Sequence, residues 1–160
     1  MTSVEALESA LGRAYRYLGH RDRTVAELHK HLVAKGATEE IAQAAVEELI
    51  AQGYVDDARF ARQFAEDRRR LDSWGNERIE RRLRELGVGG EHIAAALATL
   101  ADSDELDGEL DTAVALLRRR FPAPPESDRE RERALGLLVR RGYDLELAYD
   151  AVRALGREAA

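Results

Sequence analysis

One spaced set of residues occurs three times in this chain, and it limits the fold more than any other feature. Leu32 and Gly36 lie four apart, and Ala45, Val46 and Leu49 follow at nine, ten and thirteen residues after the glycine. Leu83 and Gly87 are followed at the same distances by Ala96, Leu97 and Leu100, and Leu138 and Gly142 by Ala151, Val152 and Leu155. The frame recurs 51 and then 55 residues on. A period of this size marks stacked supersecondary units, none of which buries its apolar face alone, and such arrays usually act as binding surfaces.

The residues between the frames read as helices. Thr2 with Glu5 and Thr24 with Glu27 have capping-box spacing, and so do Ser127 and Glu130. Thr38 and Asp144 are expected to cap two further helices. Apolar residues then recur at helical spacing, as in Leu7, Leu11, Ala14 and Leu18, or Ile41, Ala45, Val46 and Leu49. Phe60, Ala61, Phe64 and Leu71 mark another helix face, with Arg68 in the same stripe. Gly36, Gly87 and Gly142 stand where left-handed C-terminal caps are expected. Nothing alternates over a strand length. The expected fold is all-α, with three-helix repeats at 1–53, 54–101 and 102–160 forming a curved, elongated array. An acidic stretch from Asp102 to Asp111, with six acids and one glycine, reads as a hinge before the third repeat.

Composition narrows the chemistry. There is no cysteine, so no disulfide framework and no thiolate ligand or nucleophile is available. No apolar run approaches the ~18 residues of a membrane span, and the simplest expectation is a cytoplasmic protein. The four histidines, His20, His29, His31 and His92, have no metal-ligand spacing. Gly87-Val88-Gly89-Gly90 is followed by Glu91 rather than a cation, so it reads as a helix turn and not a phosphate cradle. No catalytic residues, metal or cofactor are expected, and the chain does not read as an enzyme.

Net charge is −6, which argues against a general nucleic-acid coat. Residues 24–55 resemble a helix-turn-helix with the start of a wing. The would-be recognition helix, however, carries Glu39, Glu40, Glu47 and Glu48 and no cation, so it would meet phosphate with like charge. Of the 25 basic residues all but Lys30 and Lys35 are arginine. Arginine favours fixed bidentate contacts to carboxylate or phosphate. The candidate partner-binding residues are therefore arginines in clusters: Arg69 and Arg70; Arg78, Arg81 and Arg82; Arg118 and Arg119; Arg140 and Arg141. Arg78, Arg81 and Arg82 share one flank of a helix. That flank either docks a polyanion or acidic surface, or is a solvated face neutralised by Glu77, Glu80 and Glu85. Arg68 reads as structural, paired in a partly buried setting with Asp56 or Asp57.

Three motifs in register carry a family resemblance. They are Arg21-Asp22-Arg23-Thr24-Val25-Ala26-Glu27-Leu28, then Gly53-Tyr54-Val55-Asp56-Asp57-Ala58-Arg59-Phe60-Ala61, then Gly75-Asn76-Glu77-Arg78-Ile79 running through Leu83 to Gly87-Val88. In order and spacing the chain resembles the RecX family over about residues 11–100. The resemblance implies a bacterial regulator of the RecA recombinase, acting in DNA repair, recombination and the SOS response. Such a protein lies as a monomer in the helical groove of RecA filaments on single-stranded DNA, usually suppressing strand exchange and the RecA ATPase. The partner it implies is the RecA filament, with single-stranded DNA inside that filament as a further contact, and the alternative is a stand-alone helical DNA-binding module.

Overall fold

The computed structural model describes residues 1–105 and 107–158. Leu106, inside the acidic stretch, and Ala159 and Ala160, at the end of the third repeat, lie outside the described residues. Among those described there are nine α-helices and no strand. They are α1 (Ser3–Leu18), α2 (Val25–Ala34), α3 (Glu39–Ala51), α4 (Asp57–Asp72), α5 (Asn76–Glu85), α6 (Gly90–Ala101), α7 (Glu109–Arg120), α8 (Asp128–Arg140) and α9 (Leu145–Glu158). The chain is an all-α tandem helical array.

The helix starts follow the caps that the sequence offers. Thr2 and Thr24 each accept from the N–H three residues on, and Glu5 and Glu27 reach back to the cap N–H. Each such cap satisfies donors the helix itself cannot, and contributes about 1 kcal/mol. Thr38 accepts from Ile41 N–H, and Asp144 from Leu147 N–H. At α8 only half of the expected box forms. Ser127 accepts from Glu130 N–H, but the Glu130 carboxylate receives Glu126 N–H, one residue earlier.

The Leu-to-Gly spacing of four has a direct cause. In each copy the leucine is the third residue from the helix end and the glycine stands just past the cap. Gly36, Gly87 and Gly142 have φ of 102°, 88° and 96°. This turns the chain so that Ala37, Val88 and Tyr143 donate back to the carbonyls of Leu32, Leu83 and Leu138, all at 3.0–3.1 Å. That is the paired-bond Schellman ending, in which the residue after the glycine also packs on the leucine's turn. Val88 and Tyr143 are accordingly buried, as are the three leucines.

Packing divides the chain into two compact units, residues 1–61 with 83–93, and residues 62–82 with 94–160. In the first, α1, α2 and α3 pack on one another around Leu28, Leu32, Val46 and Leu49. Ala14, Ala42 and Ala45 are fully buried there, and their small side chains let the helices approach closely. In the second, α9 packs on α7 and α8 around Leu117, Leu138 and Tyr143.

Each unit also holds one junction between sequence copies. In the first, the Thr24 hydroxyl donates to Leu86 C=O at 2.6 Å, and Asp57 Oδ1 accepts Val25 N–H at 2.9 Å. A Cβ on Gly87 would overlap that of Ala26. In the second, Gly75 N–H donates to Arg141 C=O at 2.8 Å, and Glu77 N–H donates to Gly142 C=O at 2.9 Å. A Cβ on Gly142 would stand 2.5 Å from Arg78 N, and one on Gly75 2.6 Å from Tyr143 N. In both cases the glycine turn of one copy closes on the first turn of the second helix in the copy before it. The frame is thus a junction device as well as a helix terminator.

One helix face differs from its expected position. Leu71 is 68% exposed, whereas Ala61, Ala65 and Arg69 are buried. The inward stripe of α4 runs through Ala61, which was on the expected face, and on through Ala65 and Arg69, so the expected face departs from the structure only at Leu71.

Candidate partner-binding surface

The arginines expected to meet a partner separate into two groups. The first group is consumed by the loop between α4 and α5. Arg69, 4% exposed, donates from Nε to Trp74 C=O at 2.8 Å and from Nη2 to Asn76 Oδ1. Arg119 donates to Ser73 Oγ at 2.9 Å and Arg141 to Asp72 C=O at 2.7 Å. The buried Tyr143 hydroxyl donates to Ser73 C=O at 2.7 Å, and Glu109 accepts Asn76 N–H at 3.2 Å. Ser73 is held at a positive φ of 55°, which a non-glycine residue adopts only when its surroundings fix it. Two guanidiniums and a phenol therefore gather the carbonyls of a strained turn, since a buried backbone acceptor needs a donor, and a third guanidinium holds the Ser73 hydroxyl. Burial lowers the Arg69 pKa and raises those of Glu109 and Tyr143, the last to about 12.

Arg69 is buried and Arg141 half-buried with their donors bonded inside the protein, whereas Arg119 stays exposed while it bonds Ser73 Oγ. Arg78 is half-buried, lies 4.2 Å over the Trp74 ring and donates to Arg140 C=O at 3.4 Å. It leaves the exposed Arg81 and Arg82 as the outward members of its flank. Arg70 pairs with Glu66 and Arg118 with Glu158 at the surface, where solvent screens the attraction and each pair contributes little.

The pairing expected for Arg68 is corrected. Its partner is Asp72, four residues on in the same helix, and its guanidinium lies 5.9 Å over both the Phe64 and Trp74 rings. Asp56 accepts Arg59 N–H and Asp57 accepts Val25 N–H, so both start helices rather than reach Arg68. Eleven residues of helix separate Asp57 from Arg68, a rise of about 16 Å that no side chain bridges. An i,i+4 neighbour was available without any such reach.

The helix-turn-helix likeness stops short of a wing. Val55 is buried in the core of the first unit, and α4 starts at Asp57 where a strand would be needed. Glu39, on the would-be recognition helix, bonds His29 at 2.9 Å.

A further surface was missed from sequence. The C-terminal end of α7 and one face of α8 line a groove of about 560 Å³ that contains Arg120, Arg129, Arg133 and Arg140. Arg120 closes the run Arg118-Arg119-Arg120 and Arg140 is in the pair Arg140-Arg141, so the members that consecutive runs do not reveal are Arg129 and Arg133. The signal was present in the spacing of α8, where Arg129, Arg133, Gly136 and Arg140 fall at i, i+4, i+7 and i+11 on one helix face.

Comparison with known proteins follows the same outline. A model described as the first three-helix domain of RecX matches residues 10–49, and one described as the second matches residues 56–97. Regulatory protein RecX of Mycolicibacterium vanbaalenii is 35% identical over 156 residues, spanning 95% of this chain and 85% of the relative. Regulatory protein RecX of Xanthomonas campestris is 36% identical over 138 residues, spanning 86% and 82%. The crystal structure of RecX from Lactobacillus salivarius superposes with a TM-score of 0.82 at 18% identity, covering 96% of this chain and 99% of that one. At that identity the likeness speaks for the fold.

Proposed function

The chain belongs to the RecX family, and from that premise we propose that it regulates the RecA recombinase without being an enzyme itself. It binds RecA filaments on single-stranded DNA, lies in their helical groove as a monomer, and suppresses RecA ATPase and strand exchange in the cytoplasm. Its working parts are three three-helix copies, 1–53, 54–101 and 102–160. The observation that carries this reading is the match of two successive RecX three-helix domains over residues 10–97, together with relatives named as regulatory proteins along almost the whole chain. A stand-alone helix-turn-helix reader has less support, because α3 presents Glu39, Glu40, Glu47 and Glu48.

The test is a titration of the full chain into RecA turning over ATP on single-stranded DNA. The expected outcome is a saturable fall in ATPase at a ratio well below one regulator per RecA subunit. An unchanged rate with correctly folded protein, at ratios up to and beyond equimolar, overturns the proposal.

A further inference from the structure

A cleft in the first unit combines an apolar floor with two unpaired cations, and the regulator reading leaves it without a use. It lies between α1 and the turn joining α2 to α3 and has a volume of about 200 Å³. Ala10, Leu32 and Ile41 supply apolar atoms to its lining, and Ala10 and Leu32 are themselves buried. Arg13 and Lys35 stand at the same cleft, both exposed, and no carboxylate is among its lining residues. Among the described residues neither cation is in an ion pair, whereas Arg21, Arg68, Arg70, Arg118, Arg131 and Arg153 each hold a carboxylate. In a chain of net charge −6, two such cations at one apolar cleft are a local focus of positive potential.

A neighbouring imidazole registers that potential. His31 is stacked on Tyr17 with ring centroids 3.8 Å apart, and its pKa is lowered by burial first, then by Lys35, Arg23 and Arg13. Two acids that could offset these charges are engaged elsewhere. Glu27, one turn before His31, holds Arg21 and Arg23, and Glu39 of α3 bonds His29. Cations from α1, from α2 and from the loop between them thus act on His31 in the same direction.

We propose that this cleft binds a small free monocarboxylate with a short aliphatic tail, its carboxylate between Arg13 and Lys35 and its tail on Ala10, Leu32 and Ile41. The guanidinium fork matches a carboxylate bidentately, and the ammonium adds a point charge. The Thr38 oxygen accepts Ile41 N–H, which leaves its hydroxyl proton available as a further donor. The size of the ligand follows from the volume. At ~30 Å³ per water, 200 Å³ holds about seven waters, and a branched five-carbon acid has that many non-hydrogen atoms. A phosphate would satisfy the cations but would leave the apolar floor uncovered. The inference goes beyond the regulator reading and does not depend on it.

The test uses the full chain, isovalerate as the probe, and chloride to hold ionic strength constant. No recombinase is present, so its failure is distinct from failure of the ATPase experiment. Isovalerate is expected to shift the backbone amide signals of Ala10, Ala37 and Ile41 saturably, at about the millimolar level expected for so small a ligand. The bound carboxylate offsets Lys35 and Arg13. The His31 pKa should therefore rise on saturation while that of His92 stays, and binding should tighten as pH falls through the His31 titration. R13A/K35A should weaken binding tenfold or more. R16A/K30A removes the same charge from exposed positions outside the cleft and should leave binding unchanged. Two ligand-side comparisons guard against misfolding. Isovaleramide, the neutral isostere, should lose binding to the wild-type protein, and acetate, which lacks the tail, should bind at least tenfold more weakly. Absence of saturable shifts with isovalerate, equal losses in the two double variants, undiminished binding of the amide, or an unmoved His31 pKa overturns the proposal. So does binding of acetate or inorganic phosphate as tight as that of isovalerate, which would show that the floor takes no part.

Discussion

Gly36 and Gly142 hold the same left-handed conformation in different surroundings, and the contrast separates two costs that a helix-ending glycine can carry. A Cβ on Gly36 would meet nothing within 4 Å, so Gly36→Ala costs only the left-handed strain, about 1–2 kcal/mol. A Cβ on Gly142 would collide with Arg78 backbone and Cβ atoms that cannot swing aside, and Gly142→Ala should cost at least about 3 kcal/mol. Urea unfolding of the two variants gives both numbers, and similar losses would refute the steric account. Tyr143 adds a pH signature. Burial raises its pKa to about 12, so the folded state holds the phenol proton more tightly than the unfolded one. Stability from this group is complete below pH about 10 and declines as pH rises from there towards 12, by of order 2 kcal/mol. Tyr143→Phe should flatten that decline while losing about 1 kcal/mol at neutral pH with the hydroxyl bond to Ser73. The frame glycines were legible in the sequence because spacing alone exposes a helix ending. Arg69 was not, because the carbonyls that bury it come from a turn whose path depends on residues 119–143, far along the chain.

At the scale of the element, helix starts were the most legible feature, since a capping residue and its target lie three apart and need no tertiary information. Thr24 shows the limit of that legibility. Its cap on Glu27 N–H is visible in the sequence, but its bond to Leu86 C=O, 62 residues away, is not. Thr24→Val removes both and should cost about 2 kcal/mol, roughly twice what the cap alone supports. Thermal unfolding checks it, and a loss no larger than that of Thr38→Val, whose residue makes the cap alone, would show the junction bond to be worthless. The expected inward face of α4 is right at Ala61 and wrong at Leu71 for a related reason. Phe60 and Leu71 carry more apolar area, but Ala61 and Ala65 permit the close approach that decides which face turns inward. The arginine row of α8 was readable by the same 3.6-residue arithmetic and was passed over in favour of consecutive runs. Arg118-Arg119-Arg120 points in three directions, towards Glu158, Ser73 and the groove.

Over the whole molecule the sequence copies and the packing units are not the same set of boundaries. Of the residues expected to form the second repeat, 54–101, those at 83–93 pack with the first unit and those at 62–82 with the second. The reason is the junction geometry, in which the Gly87 turn closes on α2 and the Gly142 turn on α5. A chain cut after Ala101 should therefore keep slow amide exchange in α2 and α3 and lose it across residues 62–82, whose partners Glu109, Arg119, Arg141 and Tyr143 are gone. Hydrogen exchange read by mass spectrometry decides it, and retained protection at 62–82 would mean the second copy is self-sufficient.

The contacts at these junctions have a consequence for how such a chain can change. Gly87 meets Ala26, and Gly142 meets Arg78, and in both cases the contact stops at Cβ or at the backbone. At the glycine itself only Cα, Cβ and backbone are met, although the Arg78 guanidinium reaches on to Arg140 C=O and the Trp74 ring. The joint against each glycine is therefore set by backbone and Cβ, and what lies beyond Cβ differs between the two seams. A substitution at Ala26 that keeps Cβ leaves its joint unaltered, whereas one at Arg78 keeps the joint but gives up the guanidinium contacts beyond it.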